Sequence, residues 1–436
     1  MAEASLERAA TEAPTGAHSA PKPGGRLRWT ICGLLFFATT INYIDRQMIS
    51  VLKPTLTAEF GWSETTYADI VFWFQTAYAL GYFVFGRLMD RLGARFGYSL
   101  AACIWGLAAM GTGLARSAVD FMFARAVLGL GESGNFPAGI KAVAEWFPRK
   151  ERAFAIGIFN AGANVGAILT PIIAPFLVYH FGWQTAFYVS GALVLVWLAT
   201  WLGIYRRPRE HKQLTASELA YIESDPADTP GRTPWLALLR HRQTWAYAIG
   251  KFLTDPIWWM FLFWLPDFFA KQYGLDLMSF GPPLVAIYVL SDLGSIAGGW
   301  LSSRLIKRGW SVNAGRKTAM LTCALCVLPV CLAIGADSLW LAVGIIGLAT
   351  AAHQGWSANL YTLPSDLFPR RAVGSIVGIG GTLGAVGGMC MAKFAGWVLE
   401  TTGSYMPMFI LAGSTYLLAL AIIHLLVPDM RQAALE

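Results

Sequence analysis

Apolar residues run through this chain in long stretches separated by short polar connections, and each stretch is about one bilayer deep. A helix rises 1.5 Å per residue, so crossing a hydrocarbon layer of ~30 Å takes about 20 residues. Twelve runs meet that length, at approximately 29–51, 66–89, 97–115, 118–142, 152–179, 184–204, 245–270, 281–305, 317–335, 338–362, 372–398 and 403–427. The pattern predicts an all-α membrane protein with twelve transmembrane helices. Residues 1–28 are rich in Ala, Pro and Gly with scattered charge, lack a short apolar region followed by a cleavage site, and read as a disordered tail rather than a signal peptide. The polar stretch 205–243, opening with Tyr205-Arg206-Arg207-Pro208-Arg209-Glu210, reads as a linker and not a domain. It divides the spans into a six-helix bundle at 29–204 and another at 244–427, followed by a short tail at 428–436.

Composition supports this class. Of 436 residues, 56% are hydrophobic and 14% charged, against roughly 25% charged in soluble proteins. So little polar surface could not cover soluble domains of this length. The net charge of +7 is distributed by side: 25 of the 33 Lys and Arg fall in the tails and even-to-odd loops, and only Lys53, Arg116, Lys271 and Lys393 in the opposite loops. The positive-inside rule then places both termini and the linker in the cytoplasm and removes the reason to invoke a nucleic-acid partner. The six cysteines all lie in apolar runs and read as small buried hydrophobes, the Cys323-x-x-Cys326 pair included. With no Asn-x-Ser/Thr acceptor, the expected location is a bacterial inner (cytoplasmic) membrane.

The halves repeat each other. Gly86-x-Leu88-x-x-Arg91-Leu92 recurs as Gly299-x-Leu301-x-x-Arg304-Leu305, and Phe147-Pro148-Arg149 recurs as Phe368-Pro369-Arg370, with Glu145 matched by Asp366. Two copies of a six-span unit imply two pseudo-symmetric six-helix bundles with a central cavity between them.

The segment Gly86-Arg87-Leu88-Met89-Asp90-Arg91-Leu92-Gly93-Ala94-Arg95 resembles the signature between spans 2 and 3 of the major facilitator superfamily. Asn42-Tyr43-Ile44-Asp45-Arg46, the stretch from Arg125 to Pro137, Lys251 to Pro256, and His353-Gln354 resemble the anion:cation symporter family, and with Glu145-Trp146-Phe147-Pro148 they look most like bacterial hexuronate (glucuronate/galacturonate) transporters. The resemblance implies the major facilitator fold and proton-driven symport of a sugar acid by alternating access. It implies no cofactor beyond the proton gradient, and as partners a small organic anion, a proton and the lipid bilayer. A monomer is expected.

Asp90 can accept from a helix N-terminus or pair with a base across the bundles, and Arg91 and Arg95 can bind carboxylates such as Glu145. Together with Gly86, Arg149, Arg304 and Lys141 they read as a conformational latch rather than a substrate site.

A charge at bilayer depth costs roughly 2.5–3.5 kcal/mol, so Asp45, Arg46, Arg125, Glu132, Lys251, Asp255 and Asp292 need partners or water. Arg125 and Glu132 are seven apart, on one helical face but about 10 Å apart along the axis, which expects both to point into one cavity and meet other helices. One arrangement has Arg46 reaching Glu132 or the ligand while Asp45 contacts Arg125. An Arg offers a carboxylate two parallel donors, whereas a coupling proton needs a carboxyl group titrating near pH 7, about three units above free Asp or Glu. Glu132 and Asp45 are therefore the expected proton carriers, and Arg46 and Arg125 the anion clamp. Lys251 and Asp255 are four apart and could equally be a structural pair or a ligand contact; Asp292 is left unassigned.

The neutral shell expected around a sugar acid comprises Gln75 and Tyr78 on span 2, Tyr43 on span 1, and Asn160 and Asn164 on span 5. His353, which stands 221 residues after Glu132, is expected to bring Gln354 and Trp356 to the cavity, with His353 a hydrogen-bonding group or a second proton site. Gly157, Gly162 and Gly166 on span 5 suggest close helix packing. Span 11 reads Gly380-Gly381-Thr382 and lacks the amide some galactonate-type relatives are expected to have, which favours hexuronate over aldonate. An intramembrane enzyme should show metal ligands, a nucleophile with its base, or a nucleotide loop, and a sensor should carry a signalling domain; neither is present in the sequence. The closer alternative is an exchanger or symporter of the same fold for aldonates such as galactonate, or for tartrate, glucarate or aromatic carboxylates.

Overall fold

The computed structural model describes residues 26–224 and 235–433, and within them the chain is helical without a strand. The helices are α1 (Leu27–Val51), α2 (Lys53–Phe60), α3 (Glu64–Thr112), α4 (Ala118–Glu132), α5 (Asn135–Trp146), α6 (Arg149–Phe181), α7 (Trp183–Ile204), α8 (Ala216–Ile222), α9 (Trp235–Leu238), α10 (Arg242–Tyr273), α11 (Gly281–Lys307), α12 (Val312–Val327), α13 (Leu339–Leu360), α14 (Leu363–Leu367), α15 (Arg370–Thr402) and α16 (Met406–Leu426). All twelve apolar runs are helical, in two six-span bundles. Most of the expected tail, residues 1–25, lies outside the described residues, as do 225–234 of the linker and 434–436. Residues 27 and 28 already belong to α1.

Three spans differ from a plain hydrophobic rod, each for a local reason. Spans 2 and 3 are two helices that meet at Gly93, where the backbone leaves the helical region (φ 77°, ψ 167°) and a positive φ is open to glycine at little cost; Arg207 of the linker packs 3.0 Å from where a Cβ would stand. Span 4 is broken after Glu132, so α4 and α5 meet at Ser133 and Gly134. Span 9 ends in a 3-10 segment, Leu328–Gly335, that begins where Pro329 removes a donor. Among the described residues, eight helical segments are long and apolar enough to cross a membrane by composition alone. The others include α4, α10 and α13, which carry in-membrane polar residues: Arg125 and Glu132, Lys251 and Asp255, His353 and Gln354.

Ser63, Ser117, Thr215, Ser311 and Ser338 cap α3, α4, α8, α12 and α13 through side-chain oxygens, each worth about 1 kcal/mol. Small residues set the tightest contacts. A Cβ on Gly162 would stand 2.3 Å from the Phe36 carbonyl oxygen, and one on Gly166 2.4 Å from that of Thr40, so α6 lies directly on α1. Gly157, grouped with them from sequence, has open space instead.

The ends of the molecule differ. At one, charges interlock across the bundles: Lys53 Nζ lies 2.7 Å from both Glu64 and Asp267, Lys271 bridges Asp267 at 3.0 Å and also reaches Glu64, and Tyr405 donates to Asp267. Lys393 pairs with Asp69, Tyr67 donates to the Phe263 carbonyl at 2.8 Å, and Glu400 accepts from the Thr65 amide at 3.2 Å. This clasped end joins residues 53–69 of the first half to 263–271 and 393–405 of the second. At the opposite, linker end, the polar contacts among the described side chains stay within one half. Arg28 is buried between Glu151 (3.0 Å) and Glu218 of α8 (3.1 Å), which fastens the linker to the start of α1 and α6. Nearby, the Arg209 guanidinium hydrogen-bonds Glu223 and holds its carboxyl below the usual range.

Lys53 is only 2% exposed, so removing one counter-ion leaves buried charge poorly compensated. Asp267→Asn should loosen the clasp and raise the rate at which a cysteine placed at buried Gln47 reacts with a water-soluble maleimide. An unchanged rate relative to the Gln47→Cys parent would show that the clasp does not hold this end shut.

Candidate functional site

The first half builds its site where α1, α3 and α4 meet. Arg46 Nε and Nη2 donate to one oxygen of Glu132 at 3.0 and 2.9 Å, and Nη2 also to Asn42 at 3.2 Å. The pair is dry: the side chains are 1% and 0% exposed, and the other Glu132 oxygen is buried with no partner. Four rings surround the guanidinium, those of Tyr78 (4.6 Å), Tyr43 (4.8 Å), Trp259 (5.1 Å) and Phe74 (5.6 Å). Desolvated cation–π contacts of this kind are worth ~2 kcal/mol. Trp259 comes from α10, so both bundles wall the clamp.

Arg125 meets Asp45, as the sequence arrangement expects, but at its main chain and not at its carboxylate. It donates to the main-chain carbonyls of Asp45 and Arg46, both at 3.0 Å, with its guanidinium 4.8 Å from the Phe74 ring centre. It thereby grips the turn of α1 that carries Arg46. The Asp45 carboxylate turns to α3, where Trp105 Nε1 donates at 2.6 Å, and its second oxygen is buried and unpartnered. Adjacent residues on a helix point about 100° apart, which is why Asp45 and Arg46 serve different neighbours. Arg125 and Glu132, expected to point into one cavity, are both buried.

In the second half Lys251 Nζ lies 2.6 Å from Asp255 and donates to the Tyr361 hydroxyl at 2.7 Å. His353 is buried, shares hydrogen bonds with Tyr416 (2.6 Å) and Ser357 (3.3 Å), and stacks on Trp258. Trp356 is fully buried, edge-on to Tyr416, with its indole N–H unpartnered. Gln354 is half-buried. Between the halves Gln47 donates to Tyr288, and Asn164 lies beside Asp292, while Asn160 is exposed. Gln75 is buried with both amide atoms unpartnered, against Gly388 and Trp259. Tyr78 and Tyr82 meet through their hydroxyls at 3.3 Å.

The latch residues do not form the expected Arg-to-Glu145 pairs. Glu145 accepts from the Tyr205 hydroxyl at 2.7 Å, Arg95 donates to the Leu202 carbonyl at 2.9 Å, and Arg91 is exposed. Arg304 is exposed with its guanidinium 4.8 Å from the Trp300 ring centre, Lys141 is half-buried, and Gly86 has open space beside it. The side chains of Asp90 and Arg149 lie outside the described residues.

Sequence reasoning missed Trp105, Trp259, Tyr361 and the clasp, because none carries a charge pattern that names its partner. Trp105 has the clearest consequence. Removing a donor from a buried carboxylate costs about 1–3 kcal/mol, whereas replacing both ends by apolar groups costs less. Trp105→Phe should therefore lower the melting temperature of the purified protein substantially, and by less when Asp45→Leu is already present. Equal losses in the two backgrounds would mean that the indole is only packing.

Residues 35–391 match the Major Facilitator Superfamily model. The chain is 33% identical over 391 residues to the hexuronate transporter of Escherichia coli strain K12, covering 88% of this chain and 90% of that one. It is 36% identical over 292 residues to the galacturonate transporter of Dickeya chrysanthemi (66% and 84%), and 27% identical over 429 residues to the D-galactonate transporter of Escherichia coli O6:H1 (95% and 98%). Among solved structures, an inward-facing, occupied bacterial homolog of the human lysosomal transporter Spinster superposes with a TM-score of 0.69 at 18% identity, covering 93% of this chain and 96% of that one. Twelve helical spans in two bundles, charges gathered between them and these likenesses agree: the chain is a multi-pass membrane transporter, not an enzyme, and belongs to the major facilitator superfamily.

Proposed function

We propose that the protein is a proton-coupled symporter that imports a sugar acid anion, best a hexuronate, across a bacterial inner membrane by alternating access. The observation that carries the reading is the dry Arg46–Glu132 pair. Three cations lie at membrane depth around the site (Arg46, Arg125, Lys251), against four carboxylates (Asp45, Glu132, Asp255, Asp292), so the site has no spare positive charge. An entering carboxylate can take the Arg46 donors only by displacing Glu132, which then lies in a dry pocket without its counter-ion. Protonation relieves it. Anion and proton thus favour each other's binding, and the coupling is reciprocal.

Asp45 is the second proposed carrier, one shell away, joined to the clamp through Arg125 and the backbone of residues 45 and 46. The positive bias of the linker-side loops supports a cytoplasmic linker end, and the cross-bundle clasp would then close the outer face. The hexuronate and galacturonate relatives support the substrate class. A galactonate relative that aligns over 95% of this chain keeps an aldonate reading in play.

In proteoliposomes, Glu132→Gln should retain counterflow of glucuronate and lose its accumulation against a gradient driven by an acidic exterior. Accumulation at the wild-type level would overturn the assignment of Glu132. Accumulation of galactonate in place of glucuronate by the wild-type protein would favour the aldonate reading.

A further inference from the structure

One face of α10 carries Tyr247, Lys251, Asp255 and Trp259 at intervals of four residues. Trp259 covers Arg46, so this stripe runs from the anion clamp of the first half into the second. The facing helix α15 makes room for it with glycines. A Cβ on Gly384 would stand 2.3 Å from the Asp255 carboxylate, and one on Gly380 2.2 Å from the Tyr247 ring. A side chain at residue 384 would have to displace the Asp255 carboxylate from its present place.

Lys251 does not arrive in the cavity as a free cation. Its side chain is 3% exposed and its ammonium is engaged by Asp255 at 2.6 Å and Tyr361 at 2.7 Å, while the Asp255 side chain is 17% exposed and Tyr361 51%. The residues with exposed surface there are therefore Asp255 and Tyr361 rather than Lys251. The two halves therefore offer different chemistry: a guanidinium whose counter-ion is wholly dry, and an ammonium whose counter-ion is partly exposed.

We propose that Asp255 makes this transporter select sugar acids with one carboxylate over those with two. The inference rests on the sugar-acid reading above. With its carboxylate on Arg46, a six-carbon acid extends along α10, where each interval of four residues advances about 6 Å. Its far end meets Asp255 and Tyr361, which accept and donate hydrogen bonds to hydroxyls or a ring oxygen. A second carboxylate at that end would face Asp255 as a like charge, and the ammonium that could attract it is already neutralised. Discrimination arises from repulsion as well as attraction.

The test compares D-glucuronate and D-glucarate, a monoanion and a dianion of the same carbon number, by thermal-shift titration of the purified protein at fixed pH. Competition of each acid against glucuronate uptake in proteoliposomes gives a second readout. Wild type should prefer glucuronate. Asp255→Asn should shift the ratio of apparent affinities toward glucarate, on the order of a hundredfold, the scale of removing one close like-charge contact. Asp255→Glu should keep the wild-type ratio, and Asp255→Ser serves if the asparagine variant does not fold. An unchanged ratio in a folded Asp255→Asn protein that still binds glucuronate overturns the inference, as does equal weakening of both acids, which would make Asp255 only a support for Lys251. Wild type that takes both acids equally also overturns it. Wild type that binds neither acid instead brings down the sugar-acid reading, and this inference with it.

Discussion

The rest of the structure depends on an ion pair from which water is excluded. Taking a guanidinium and a carboxylate out of water costs several kcal/mol per ion, and the energy is recovered only if geometry and further hydrogen bonds satisfy both. Arg46 meets that condition, with two donors on Glu132, one on Asn42 and four aromatic rings around it. Glu132 does not: one of its oxygens is buried and bonded to nothing. An asymmetric pair of this kind is poised to exchange, since the cation will accept any carboxylate of suitable geometry and the anion gains by taking a proton.

The surrounding helices hold that pair in register. Arg125 grips the two carbonyls beside Arg46, and α6 lies against the same helix through Gly162 and Gly166. The turn of α1 is thereby fixed from two sides. Trp105 fixes the neighbouring carboxylate and is itself placed by close approach of α3 to α4, where a Cβ on Gly131 would stand 2.6 Å from the Trp105 amide nitrogen. The break in α4 falls immediately after Glu132, and Asn135 on its far side is held by Tyr98 and Thr39. Rigid support around a bond that must open is what lets a proton, rather than a shift in packing, decide its state.

Much of this was legible in the chain. The twelve runs, the six-plus-six division and the residues charged at membrane depth follow from hydropathy and spacing, because a buried charge is conspicuous against an apolar background. Partners were less legible. Periodicity says which face a residue occupies but not what lies opposite, so it brings Arg125 to Asp45 without telling that the contact is to the main-chain carbonyl and not the carboxylate. Trp105 could not be singled out, since an indole N–H in an apolar run looks like packing. The clasp was hidden for another reason: Lys53 and Lys271 read as ordinary loop charges until the fold brings Glu64 and Asp267 between them.

The repeat between the halves is sequential but not chemical. Arg316 pairs with Asp366 at 3.2 Å in the second half, whereas their counterparts 221 residues earlier, Arg95 and Glu145, are held apart by Leu202 and Tyr205. Trp146 likewise donates to the Arg206 carbonyl, and Arg207 packs over the bend at Gly93. The end of α7 and the start of the linker thus do for the first bundle what an ion pair does for the second. The linker is consequently part of that bundle's framework rather than a passive tether. Because Arg28 also ties α8 to α1, force on the linker reaches the helix that carries Arg46 through covalent and ionic contacts alone, without passing through the cavity.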